Sequence, residues 1–208
     1  MDTREAYNIW SQQYDSNNNK TRDLEAYALR TILPNIYFAN CLEIGCGTGK
    51  NTEWLITKAK QITAVDLSED MLAKAKEKIS SNSVQFVQAD ITGSWTFAEK
   101  LFDLVTFSLV LEHIQNFDHI FSEASKYLLE GGHVYIGELH PFKQYNGTKA
   151  RFETAEGTQV VECFNHHISE FIQTAKKHRL AIVDIDEYFD DGNHATIPRI
   201  LTLLLKKV

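Results

Sequence analysis

No stretch restricts this chain more tightly than Leu42-Glu43-Ile44-Gly45-Cys46-Gly47-Thr48-Gly49, where a buried apolar strand runs straight into glycines and then into a helix. Glycines there permit positive φ and let a ligand lie against the main chain, and the helix that follows presents free amides to the ligand's polar end. A tight turn would also use glycines. The strand before, the helix after and the acids downstream favour a ligand-binding loop.

Around this loop, short β-like runs alternate with helical stretches, the pattern of a wound parallel sheet. Strands are predicted at Cys41 to Ile44, Gln61 to Val65, Val84 to Val87, Phe102 to Phe107 and Val134 to Gly137. A helix carrying Trp54, Leu55 and Ile56 joins the first two. Ser68 is a candidate N-cap, with Glu69 and Asp70 in the first turn and Met71, Leu72, Ala75 and Ile79 at helical spacing. A further helix spans about Phe117 to Leu129, before a Gly131-Gly132 turn. Residues from about Arg4 to Leu33 read as two helices broken at Ser16 to Asn19, whose side chains compete for backbone hydrogen bonds. After Pro141 the pattern changes: Thr148 to Phe164 reads as a hairpin turning at Glu156-Gly157, placed as a lid. A helix through Ile168, Phe171, Ile172 and Ala175 and strands at about Leu180 to Ile185 and Ile200 to Leu205 bring the sheet to seven strands. The 208 residues thus read as one α/β domain (1–208), with an N-terminal helical cap over 1–35 and a hairpin insertion over 145–166.

Two acids fall where a nucleotide-like ligand would need them. Asp66 ends the second strand, where a carboxylate can accept both hydroxyls of a ribose; its bland role is at the start of the following helix. Asp90 ends the third strand and can take an adenine amino group, with Leu67 and Ile91 on either side of the ring.

With these residues in hand, the sequence resembles the class I S-adenosylmethionine-dependent methyltransferases, specifically the type-11 group that includes ubiquinone-pathway and natural-product enzymes. The likeness runs over nearly the whole chain: Glu43 to Gly49, Asp66, Asp90, Phe102-Asp103-Leu104-Val105 through Glu112-His113, and Leu128-Leu129-Glu130-Gly131-Gly132. It implies a Rossmann-like sheet with helices on both faces and strand order 3-2-1-4-5-7-6, the last strand antiparallel. It implies S-adenosylmethionine as cofactor, S-adenosylhomocysteine as product, and contacts from Glu43, Gly45, Cys46, Gly47, Gly49, Asp66, Leu67, Asp90 and Ile91. Gly45 and Ser108 would lie near the methionine end, with Tyr7, Trp10 and Tyr14 closing over it. Aromatic faces suit a sulfonium cation, although helix packing accounts for their spacing equally well.

Methyl transfer is an in-line displacement that needs positioning above all, and no residue type is obligatory for it. Candidates near the acceptor are His113 after strand four, as base or substrate contact, and Glu138, His140, Tyr145 and Arg151 after strand five. Tyr7 and Trp10 are further candidates for contact with the acceptor. A histidine can take a proton near neutral pH. Arg151 and Lys149 could clamp a carboxylate or phosphate, but solvated edge charges are the commoner use of such residues. His166-His167 lacks further ligands and reads as a helix start rather than a metal site. No metal is expected.

A net charge of −7 opposes broad docking on nucleic acid or anionic membrane, so the expected partner is a small-molecule acceptor. The N-terminus has no apolar segment of a signal or membrane anchor. Cys41, Cys46 and Cys163 form neither a CxxC pair nor an even disulfide set, which fits the cytoplasm. Two rivals share part of the pattern. A nicotinamide-dependent oxidoreductase would have GxGxxG where this chain has GxGxG. A module that binds the cofactor without turnover would keep these motifs, because fold does not fix function. Oligomeric state and the atom methylated have no signal in the sequence.

Overall fold

The computed structural model describes residues 2–208. Both faces of its central strands are apolar, and that dictates the architecture. In β1 (Asn40–Ile44) and β4 (Phe102–Ser108), neighbours along the chain enter opposite cores. Leu42, Ile44, Val105 and Phe107 join Trp95, Phe117 and Phe121 on one side; Cys41 and Leu104 join Leu29, Leu33, Leu55 and Leu72 on the other. A sheet buried on both faces must be covered by helices twice, as parallel sheets are.

The remaining strands of the sheet are β2 (Gln61–Asp66), β3 (Val84–Gln88), β5 (Leu128–Leu139), β8 (Leu180–Tyr188) and β9 (Ile200–Lys207). Their order is β3-β2-β1-β4-β5-β9-β8, with β9 antiparallel to both neighbours. Once the two strands of a separate hairpin, β6 (Arg151–Thr154) and β7 (Gly157–Val160), are set aside, this is the expected order.

The helices are α1 (Thr3–Trp10), α2 (Lys20–Ile32), α3 (Thr52–Leu55), α4 (Glu69–Lys78), α5 (Asp118–Tyr127), α6 (Pro141–Tyr145) and α7 (Ile168–Lys177). The polar break before α2 ends in a working cap: Asn19 Oδ1 accepts from the amides of Thr21 and Arg22, each at 3.1 Å. Ser68 caps α4, its hydroxyl accepting from Met71 N at 3.1 Å. Two elements differ from expectation. The helix after the glycine loop shrinks to a single turn, followed by turns that bring the chain back to β2. β5 begins earlier than expected, and a register shift opposite Phe102 and Leu104 lets it take in Gly131-Gly132. A Cβ on Gly132 would sit 2.9 Å from Leu129 O and 3.0 Å from Asp103 O, so this crowded crossing needs glycine.

A third, smaller core joins α1 to α4 and the hairpin through Ala6, Trp10, Met71, Phe152 and Val161. Trp10 stacks on Phe152 with ring centroids 5.1 Å apart. Among the described residues no helix is long and apolar enough to cross a membrane.

Candidate functional site

The carboxyl ends of β1 to β4 converge on a cleft of about 230 Å³. Its walls include Gly45, Gly47, Asp66, Leu67, Asp90, Ile91 and Ser108 from the strand ends, and Tyr7 and Tyr14 from the N-terminal segment. The glycine loop is held there by β2. The amides of Gly45 and Cys46 both donate to Val65 O, at 2.7 and 3.0 Å. Asp66 completes the clamp: Oδ2 accepts from Gly47 N and Oδ1 from Ser68 N, both at 2.8 Å. Burial raises the Asp66 carboxyl above its ordinary range, and these backbone donors oppose that shift by favouring the anion.

Gly45 and Gly47 are glycines for different reasons. Both have positive φ, +72° and +53°. A Cβ on Gly45 would fall 2.2 Å from Val110 Cγ2, whereas one on Gly47 would meet nothing within 4 Å. Gly45 therefore permits close packing under the cleft, and Gly47 leaves an open face for a ligand. At the far end, Asp90 Oδ1 accepts from the amide and hydroxyl of Thr92 at 2.9 and 2.7 Å, and Oδ2 has no protein partner among the described residues.

Glu43, Cys46 and Gly49 do not line the cleft. Glu43 is buried and accepts from Thr52 Oγ1 at 2.6 Å, and burial pushes its carboxyl up to about 8. Cys46 belongs to the apolar core, and Gly49 packs under Ala75 of α4 and Ile79 just past its end.

A second cavity of about 300 Å³ adjoins the first and shares Tyr7, Tyr14 and Leu109 with it. Trp10 and Arg151 line this one. His113, on the wall of the first cleft, sits in a fixed tautomer. Its Nδ1 lies 2.8 Å from the carbonyl of Glu162, which can only accept, so Nδ1 carries the proton. Nε2 then accepts from the Tyr7 hydroxyl at 2.9 Å. Burial raises the Tyr7 phenol well above its ordinary range, which keeps it neutral.

His140 and Tyr145 lie apart from both cavities. His140 is fully buried and caps α6, Nδ1 accepting from Phe142 N at 3.1 Å while Nε2 lies 2.8 Å from Glu187 Oε1. Burial lowers the pKa of its ring. Tyr145 is half exposed, its hydroxyl 2.7 Å from His167 Nδ1. Glu138 lies beneath the loop after β4, Oε1 accepting from Val110 N and Leu111 N at 2.9 and 2.8 Å.

Sequence reasoning missed Glu25, a carboxylate with 2% exposure on α2. It accepts from Asn51 Nδ2 at 3.0 Å and from Tyr135 OH at 3.1 Å, and Asn51 also reaches Ser108 Oγ at 3.3 Å. The available signal was Gly137 on β5, where a Cβ would fall 2.7 Å from Glu25 Oε1. A wider hollow of about 820 Å³ opens around the starts of β4 and β5, beside Asp103, Gly131 and Gly132, and contains none of the loop glycines.

Residues 42–136, which carry the glycine loop, Asp66, Asp90 and the loop after β4, match the model of the methyltransferase domain family. This central stretch is thus similar to a methyltransferase domain. The chain is 27% identical to malonyl-[acyl-carrier protein] O-methyltransferase 2 of Ilyobacter polytropus, over 73% of this chain and 53% of that protein. It is 28% identical to a ubiquinone biosynthesis O-methyltransferase of Xanthomonas oryzae pv. oryzae, over 66% of this chain and 58% of that one. It thus spans between half and three-fifths of the length of these relatives. Its fold matches the N-methyltransferase NodS of Bradyrhizobium japonicum, solved with S-adenosylhomocysteine, with TM-score 0.74 and 20% identity over 100% of this chain and 99% of that one. Nothing in these likenesses supports a nicotinamide-dependent oxidoreductase or a silent cofactor-binding module.

Proposed function

We propose that this chain transfers the methyl group of S-adenosylmethionine to a small-molecule acceptor, with donor and acceptor in the two adjoining cavities. The observation that carries this reading is their common wall at Tyr7, Tyr14 and Leu109, with the glycine loop and both strand-end acids on one side only. The residues present fit the cofactor. Gly47 offers an open main-chain face, Asp66 stands where the ribose hydroxyls would bind, and Asp90 has a free oxygen beside Leu67 and Ile91 for the adenine edge. When bound, S-adenosylmethionine supplies an electrophilic methyl group on a positive sulfur.

The chain's own part is orientation and exclusion of water, the dominant needs of an in-line displacement. Trp10, which lines the second cavity, is held by stacking on Phe152. Where the acceptor must lose a proton, Tyr7 can take it while passing its own to Nε2 of His113, whose orientation the Glu162 carbonyl fixes. A cytoplasmic setting is supported by three free thiols, two of them buried.

Calorimetric titration with S-adenosylmethionine, S-adenosylhomocysteine and NADH tests the donor. Binding of the first two with NADH silent is expected. NADH binding alone would overturn the methyltransferase reading.

A further inference from the structure

The second cavity differs in charge from the molecule around it. The whole chain is acidic, at −7, yet Lys20, Arg22, Lys149, Arg151 and Arg199 all line this cavity and Glu112 is its single acid. These cations are not equally available. Arg199 is spent on Asp190, Nη2 donating to Oδ2 at 2.6 Å, and on Thr21 Oγ1 at 3.0 Å. Arg22 donates to the carbonyls of Tyr14 and Asn17 and lies over the Tyr14 ring at 4.2 Å, so its charge has no carboxylate partner. Lys20, Lys149 and Arg151 make no ion pair among the described residues.

Independent of charge, two buried donors at the cavity have no partner among the described residues. Trp10 is only 5% exposed and its indole Nε1 is unbonded, and Arg22 Nε is buried in the same state. A buried N–H without an acceptor costs about 1–3 kcal/mol, so an acceptor brought by a ligand would recover that cost. The N-terminal turn of α2, a helix of 13 residues, adds its positive dipole end through Asn19, Lys20 and Thr21. Burial raises the Glu112 carboxyl above its ordinary range, which weakens its repulsion of an incoming anion.

We propose that the second cavity holds an oxyanion group of the methyl acceptor, a carboxylate or a phosphate-type group, through Lys20, Lys149 and Arg151 at its mouth and the indole N–H of Trp10 within. The inference rests on that cavity being the acceptor's, but the anion site can be tested without turnover. Charge-assisted hydrogen bonds to an oxyanion are stronger than neutral ones, and the fork of Arg151 suits two oxygens at once. The hairpin carrying Arg151 then both covers the acceptor and selects it by charge.

The test is titration of the full chain with acetate, methylphosphonate and choline at fixed ionic strength, followed by tryptophan fluorescence, with and without S-adenosylhomocysteine. Both anions should bind, choline should not, and preference between the anions names the group. The double variant Lys149→Ala/Arg151→Ala should weaken anion binding by at least about tenfold, the loss of one charge-assisted contact, and leave S-adenosylhomocysteine affinity intact. Lys149→Arg/Arg151→Lys, which keeps the charges, should restore anion binding and guards against a misfolded hairpin. Anion affinity unchanged in the alanine variant, or choline binding as well as the anions, would overturn the proposal. If S-adenosylhomocysteine fails to bind while the anions still do, the donor reading falls and the anion site stands.

Discussion

The Tyr7 hydroxyl donates to Nε2 of His113 across 2.9 Å, tying the first helix of the chain to the loop after the fourth strand, 106 residues away. Both side chains line the cleft, and the other ring nitrogen is held by the carbonyl of Glu162, just past the hairpin. Three segments distant in sequence therefore fix one imidazole.

If that pair moves a proton, Tyr7→Phe should lower turnover by about 10²-fold, the lower end for a general base, while the affinity for S-adenosylhomocysteine is largely kept. Deleting residues 148–164 removes the carbonyl that orients His113 and should likewise lower turnover or acceptor affinity more than cofactor affinity. Steady-state kinetics beside direct titration separates the two quantities. Equal loss of both in the deletion would mean that the hairpin is not a lid.

Asp66→Ala removes the acceptor shared by Gly47 N and Ser68 N as well as the proposed ribose contact. Cofactor affinity should fall roughly tenfold to a hundredfold, as for loss of a hydrogen bond to a charged group. A folded variant with unchanged affinity would refute the placement. Two glycine variants sharpen the point. Gly45→Ala drives a Cβ to 2.2 Å from Val110 Cγ2 and should lower Tm markedly. Gly47→Ala meets no atom within 4 Å, so it should cost stability only through its φ of +53°, about 1–2 kcal/mol, yet still weaken cofactor binding.

Burial holds the Glu138 carboxyl at about 8, far above the ordinary 4.5. A raised acid stabilises the fold fully below its ordinary value, and this contribution is lost as pH climbs from there to about 8. Glu138→Gln keeps an acceptor for Val110 N and Leu111 N and cannot ionise. Its Tm should fall less between those limits and exceed the parent's at the alkaline end. Each 1 kcal/mol gained is worth about 2–4 °C in a chain of this size. Parallel melts of parent and variant with the same slope would exclude ionisation of Glu138 as a cause.

The strands and the residues that meet in the first cleft were legible because each rests on a local signal, whereas the strand order followed only from the family resemblance. Apolar runs mark buried strands, and Gly45, Gly47, Asp66 and Asp90 stand at strand ends that β-α alternation must bring to one edge. Glu43 and Cys46 were harder to place, because successive residues at the end of a strand face opposite sides and the motif alone does not say which side holds the ligand. His140 illustrates the opposite difficulty. It follows a strand end, as a site residue would, but the proline after it starts a helix, and the imidazole is consumed in capping that helix. Glu25 gave no local sign, since its role depends on Asn51 and Tyr135, partners that only the folded chain brings near.

The two cavities draw on different parts of the chain. The first cleft takes most of its wall from residues 42–136, the stretch that matches the methyltransferase domain family, while of the residues around the second cavity only Leu109 and Glu112 fall within it. The rest come from the amino-terminal segment, the end of β5, the start of the hairpin with the residues just before it, and the turn before the last strand. On the proposed assignment of the two cavities, selectivity is physically detachable from chemistry: the peripheral segments can be redrawn for a new acceptor while the central stretch that would hold the cofactor is left unchanged.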